Sequence, residues 1–190
     1  MRVQTGLVGV LMMLIFLTGI MGCGSSFRYD KYFSKDALLN VSMDQLSGWA
    51  PRETRGAGIS YIQVSFIPPA DFRDAIISLT IKDTAHVGGK ADLEIVANDL
   101  LAKRKQFAAF NLAERETGFL LKQPAVIFDM AYKMPLSYEY NKSLVLVREK
   151  ILIARVKDHF YFFRYQNVFD QFSQFVPAFD HMATSLRFKN

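Results

Sequence analysis

This chain predicts an α+β fold: a single antiparallel β-sheet flanked by helices on both faces, an α/β/α sandwich. Three observations carry that expectation. Apolar and polar residues alternate with period two over Tyr61–Ile67, Ala75–Ile81 and Ala125–Lys133, and an apolar run fills Leu144–Val156. Two other stretches, Leu93 to Phe107 and Phe172 to Leu186, repeat their apolar residues at helical spacing. The resulting order is two strands, a helix, several strands, a helix and a short closing strand, which places helices against an antiparallel sheet.

The N-terminal segment reads as a secretory signal. Arg2 supplies the positive start, residues 6–21 are almost wholly apolar, and Gly22 is the small residue before Cys23. That run is shorter than the roughly 20 apolar residues of a comfortable membrane span. Residues 1–22 are therefore expected to be a signal peptide cleaved between Gly22 and Cys23. Residues 23–36 are expected to be a tether, and residues 37–190 one domain, a length that fits a single core. In the tether, Gly24, Ser25 and Ser26 precede the polar run Arg28 to Asp36, whose Tyr29, Tyr32 and Phe33 either dock on the domain or rest at a lipid interface.

Within the domain, Trp49 to Gly58 is rich in charge and turn formers and reads as a loop. The strand Tyr61–Ile67 must stop at Pro68-Pro69, which cannot donate to a ladder. The strand Ala75–Ile81 leads into a polar loop through Gly88-Gly89. Asp92 is a good helix N-cap, and Leu93, Val96, Ala97, Leu100, Leu101 and Phe107 then form one apolar helix face. A strand over Asn111 to Thr117 turns at Gly118. The next, Ala125–Lys133, sets Val126, Phe128, Met130 and Tyr132 on one face and Asp129 and Lys133 on the other. Leu144–Val156 reads as one bent strand, Lys157-Asp158-His159 as a hairpin loop, and Phe160 to Tyr165 as an aromatic strand. Pro177 kinks the last helix or marks its restart.

Ile20-Met21-Gly22-Cys23 resembles a bacterial lipobox. The resemblance implies that Cys23 becomes the first residue of the mature protein, with a diacylglycerol on its sulfur and usually a further acyl chain such as palmitate on its amino group. Each buried methylene contributes about 0.8 kcal/mol, so two or three chains hold a protein on a bilayer where one would come off. An ordinary signal peptide with an incidental cysteine and an uncleaved N-terminal anchor are the other readings of the segment. That Cys23 is the chain's single cysteine favours the lipid.

Tyr161-Phe162-Phe163-Arg164-Tyr165, Phe169 to Phe172, Val176-Pro177-Ala178-Phe179 and Thr184-Ser185-Leu186-Arg187-Phe188 together look like the end of PsbP-like domains, in which an aromatic strand is followed by a helix and a closing strand. The stretch Gly118 to Ala131 is similar to that family's strand pair, with its turn at Gln123-Pro124-Ala125. The resemblance implies protein docking without chemistry, and it carries no catalytic or ligand-binding residue onto this chain.

Composition narrows function further. A formal net charge of +5 is mild, and its charges are dispersed apart from Lys103-Arg104-Lys105, which reads as a solvated helix face. No nucleic-acid module is visible and none is expected as partner. The single cysteine leaves no internal disulfide, so 17 Phe and 8 Tyr must supply stability through packing. His86, His159 and His181 are far apart, with no HExxH and no cysteine pair, so no metal and no cofactor are predicted. Asp158-His159 and Asp180-His181 read as a turn and a helix surface. No GxSxG elbow occurs, and Gly56-Ala57-Gly58 and Gly88-Gly89 lack the spacing of a phosphate loop. Asp129 is expected on the polar face beside Lys133, with Arg148 and Arg155 as cross-strand partners of acids.

The functional expectation is a non-catalytic lipoprotein of the cell envelope, held to the bilayer through acylated Cys23 and docking on an envelope protein. A carrier of a small apolar or lipid ligand is the alternative, which requires a cavity left unfilled between sheet and helix; an enzyme ranks third. Gly24, in place of an aspartate after Cys23, points to an outer membrane facing the periplasm in a Gram-negative host.

Overall fold

The computed structural model describes residues 26–56, 61–84, 92–135 and 143–189. Gly22, Cys23, His86 and the Gly88-Gly89 loop lie outside them. The described elements, in chain order, are strands β1 (Tyr29–Phe33), β2 (Val41–Leu46), β3 (Ala50–Arg55), β4 (Tyr61–Ile67) and β5 (Ile76–Asp83), then helix α1 (Leu93–Arg104). Strands β6 (Ala108–Leu120), β7 (Gln123–Pro135), β8 (Leu144–Val156) and β9 (His159–Val168) follow, then helix α2 (Val176–Ser185) and strand β10 (Arg187–Phe188).

These strands form two antiparallel sheets, one ordered β1-β2-β10 and one ordered β3-β4-β5-β9-β8-β7-β6. The expected α/β/α sandwich is therefore corrected: the described chain is mostly strand, and its strands form two sheets, the smaller of which takes the place of a helical layer over most of one face. The small sheet and α2 together cover one face of the large sheet, where Val41, Met43, Leu79, Phe163 and Phe179 share a core. The other face carries only α1, whose Val96, Ala97 and Leu101 pack on Val126, Phe128, Ile151 and Phe162. The strands behind this difference gave weak apolar signals. Edge strand β3 reads Ala-Pro-Arg-Glu-Thr-Arg, which the sequence predicts as a loop. An edge tolerates proline and charge because half its backbone groups need no partner strand.

The segment expected as a tether contributes β1, paired along its length with β2. Of its two open alternatives, docking on the domain holds for Tyr29 and Tyr32, whereas Phe33 is exposed. Phe27 packs against the first core, Tyr32 is buried with its ring edge-on to Phe66 at 5.4 Å, and Tyr29 stacks on His181 at 4.0 Å.

Some other elements follow the pattern that predicted them and some depart from it. β4 has the predicted bounds, and Leu144–Val156 is a single strand. Asp92 occupies the N-cap position of α1, yet its side chain makes no capping bond; its carbonyl accepts from the Val96 amide at 3.1 Å. Pro177 sits in the first turn of α2, after a separate 3-10 turn over Phe169–Gln174, so it marks a restart. The turn expected at Gly118, and the one implied at Gln123-Pro124-Ala125, both lie instead at Leu121-Lys122. These two residues take φ +54° and +63°, the double left-handed geometry of a two-residue hairpin, without the Asn-Gly that ordinarily announces it.

Gly48, between β2 and β3, takes φ +81°, and a Cβ built there meets nothing within 4 Å. Gly48→Ala is therefore expected to lose about 1 kcal/mol through backbone strain alone, read as a lower urea midpoint at unchanged slope.

Candidate functional site

A concavity forms where the coverage of the large sheet ends. On the α1 face, β7, β8 and β9 present apolar residues beneath the helix, whereas β4 and β5 present Tyr61, Gln63, Ser65, Ser78, Thr80 and Lys82. The register lines these up across the sheet: Ser65, Ser78 and Arg164 form one row, Gln63, Thr80 and Phe162 the next, and Tyr61, Lys82 and Phe160 the third. A 12-residue helix reaches only the apolar half. The step between helix and bare polar strands leaves an open cavity of about 250 Å³, walled by Gln63, Ser78, Thr80, Lys82, Arg104 and Arg164 together with Tyr61, Leu100, Ile151 and Phe162.

Beneath its floor lies Glu149, a carboxylate with no exposed side-chain surface. Arg104 grips it with both prongs, Nε to Oε2 at 2.7 Å and Nη2 to Oε1 at 3.0 Å, and the Tyr132 hydroxyl donates to Oε2 at 2.8 Å. Arg164 Nε forms an ion pair with Oε1 without hydrogen-bond alignment. Burial alone would push this carboxyl up; the neighbouring Arg164 charge and the Arg104 and Tyr132 hydrogen bonds outweigh it and hold the group below its ordinary value. The Tyr132 hydroxyl is pushed up by burial and by the Glu149 charge. Lys103-Arg104-Lys105 is thus no uniform solvated face. Lys103 is exposed and pairs with Asp99, while Arg104 turns inward to the sheet.

Lys82 is the cation left over. Its ammonium lies 5.2 Å from the centre of the Phe162 ring, and it makes no ion pair among the described residues. Burial, then the Lys103 and Arg104 charges, lower its pKa from the ordinary lysine value. Ser78, only 3 % exposed, lines the same cavity. Thr80 donates to Gln63 at 3.3 Å.

The residues singled out from sequence are dispersed. Asp129 pairs bidentately with Arg148, both contacts at 2.7 Å, and the Arg148 guanidinium lies over the Phe172 ring, so the cross-strand use of Arg148 holds. Arg155 donates to the Lys157 carbonyl and lies over the Phe160 ring. Asp180 pairs with Lys150 at 2.8 Å and His181 with Asp44 at 3.0 Å, so the two neighbours serve different partners. His159 opens β9 opposite Asp83 and Val156. Among the described residues no cluster of three or more His, Cys, Asp or Glu could hold a metal. Of the cavity's charged residues, Arg104 stood out in the sequence only as part of a solvated helix face, and Lys82 and Arg164 not as site residues.

No protein-family model matches the sequence, and no curated protein matches it. Solved structures do. Cyanobacterial PsbP (CyanoP) from Synechocystis sp. PCC 6803 superposes with TM-score 0.55 at 14% identity, over 90% of this chain and 99% of that one. The Ran-binding protein Mog1p of Saccharomyces cerevisiae superposes with TM-score 0.52 at 8% identity, over 86% of this chain and 96% of that one. LpqN of Mycobacterium tuberculosis, described as involved in cell envelope biogenesis, gives 0.49 at 14% identity, over 87% and 92%. The first two are similar across nearly the whole domain, and the chain has a PsbP- and Mog1-like fold.

Proposed function

We propose that this protein is an exported lipoprotein, acylated on Cys23 after cleavage behind Gly22, that acts without catalysis as a protein-docking module of the cell envelope. The observation that carries the docking role is the contrast between a filled interior and an open, cation-walled surface cavity. Both cores are closed by rings in mutual contact, such as Phe163 on Phe179 at 4.8 Å and Phe107 on Tyr132 at 4.9 Å. The cavity beside α1 is polar on its strand side, unlike the wall an apolar cargo needs. Among the described residues no helix is long and apolar enough to cross a membrane.

The anchor also sets geometry. Because β1 starts at Tyr29, the chain from Cys23 to the folded domain reaches at most about 20 Å, so the domain works close to the bilayer surface. In a Gram-negative host that surface is the periplasmic side of the outer membrane.

Cys23→Ser tests both halves. Fractionated cells should move the variant out of the membrane fraction, and mass spectrometry of the native N-terminal peptide should show diacylglycerol and acyl mass on Cys23. In-cell cross-linking should capture a stoichiometric protein partner that the variant loses. An unmodified Cys23 would contradict the anchor, and a lipidated chain with no protein partner would contradict docking.

A further inference from the structure

We infer that the cavity beside α1 is a binding site for an oxyanion, a carboxylate or phosphate group held by Lys82 with Arg104, Arg164 and the Ser78 hydroxyl. Three cations wall or floor the cavity, and Glu149 is the one carboxylate among the described residues that answers them, which leaves a formal excess of two positive charges there. Glu149 engages Nε and Nη2 of Arg104 and Nε of Arg164, and Gln166 takes Nη2 of Arg164. The Nη1 group of each guanidinium therefore keeps its donors. Guanidinium donors in a fixed fork suit a planar or tetrahedral oxyanion, and an adjacent ammonium adds a point charge.

Ser78 adds a hydroxyl to the cavity wall. The residue is only 3 % exposed and lines the cavity. An anion seated over the Ser65-Ser78-Arg164 row would accept from the Ser78 hydroxyl and from Lys82, which starts two rows along and reaches over Phe162 in the row between. Glu149 fixes both arginines beforehand, so binding need not order them, which preserves affinity. At about 250 Å³ the cavity lies below the range of drug-sized sites, so it takes one small charged group and not a whole cofactor.

The inference rests on the docking reading only for the source of that group: an acidic side chain of a partner, or a free phosphate. Its test uses the full-length chain in neutral detergent, labelled for amide NMR and titrated with inorganic phosphate and, separately, with N-acetyl-aspartate, against chloride at matched ionic strength. Saturable shifts centred on Ser78, Thr80 and Lys82 are expected, with a dissociation constant on the order of 1 mM. Lys82→Met should weaken binding at least about tenfold while keeping a dispersed spectrum, and Lys133→Met, on an exposed site of β7, should not. A response to N-acetyl-aspartate alone assigns a side-chain carboxylate; a response to phosphate alone assigns a free phosphate. No saturable shift with either anion, or an unchanged affinity in Lys82→Met, would overturn the site. That failure is separable from failure of the docking reading, which is read from the Cys23 mass and the captured partner.

Discussion

Glu149→Gln is expected to destabilise the fold by about 3–5 kcal/mol, the usual penalty when one member of a buried ion pair is removed and its partner charges stay behind. Arg104 and Arg164 would keep their positive charges beneath the cavity with no carboxylate to answer them. For a domain of this size the midpoint of thermal unfolding should fall on the order of 10 °C. The effect also has a pH signature. The folded-state pKa of Glu149 lies below the ordinary glutamate value, so its stabilisation is complete above the unfolded value and is lost as pH falls through the folded one. The stability gap between wild type and Glu149→Gln should therefore narrow from about pH 5 downward. A gap that is constant with pH would mean that folding leaves the Glu149 pKa unchanged, and a gap that widens as pH falls would mean that burial raises it.

Phe163→Ala is expected to match it, at about 3–5 kcal/mol, through loss of apolar burial and a residual cavity. Phe163 is fully buried in β9 and stacks on Phe179 at 4.8 Å with an 11° tilt, joining the large sheet to α2. Since whole domains are stable by only about 5–15 kcal/mol, the variant should sit near its unfolding threshold at 37 °C. Phe119→Ala, at a ring 74% exposed near the end of β6, should change stability by less than about 0.5 kcal/mol. Chemical unfolding of the pair separates core packing from a general intolerance of lost aromatics.

Strong periodicity was legible and weak periodicity was not. The long apolar run of β8 and the alternation of β4 correspond to strands with the predicted extent, because burial on one or both faces imposes the pattern directly. β3 carries proline and charge because it is an edge, and the Leu121-Lys122 turn lacks glycine, so neither announced itself. Those omissions, with β1 hidden in a polar stretch, are why a helix-flanked sandwich was expected where two sheets occur.

The site was legible in one place. Glu149 stands at period two between Val147 and Ile151, both buried, so a strict alternation over Leu144–Val156 already sets a carboxylate on a core face. Its partners could not be read the same way. Arg104 comes from a helix and Arg164 from another strand, and only the tertiary packing brings them to one carboxylate. Lys82 looks like an ordinary strand-end lysine until the reach of α1 is known.

The most direct test of the account is a photo-cross-linking residue placed at Thr80, in the cavity, in cells carrying the lipidated chain, with the same residue at Leu144 on the exposed start of β8 as reference. Anchored docking through this face predicts one discrete protein adduct at position 80, absent at 144 and lost on Cys23→Ser. Equal, diffuse labelling at both positions, or an adduct at 80 that persists without Cys23, would contradict it.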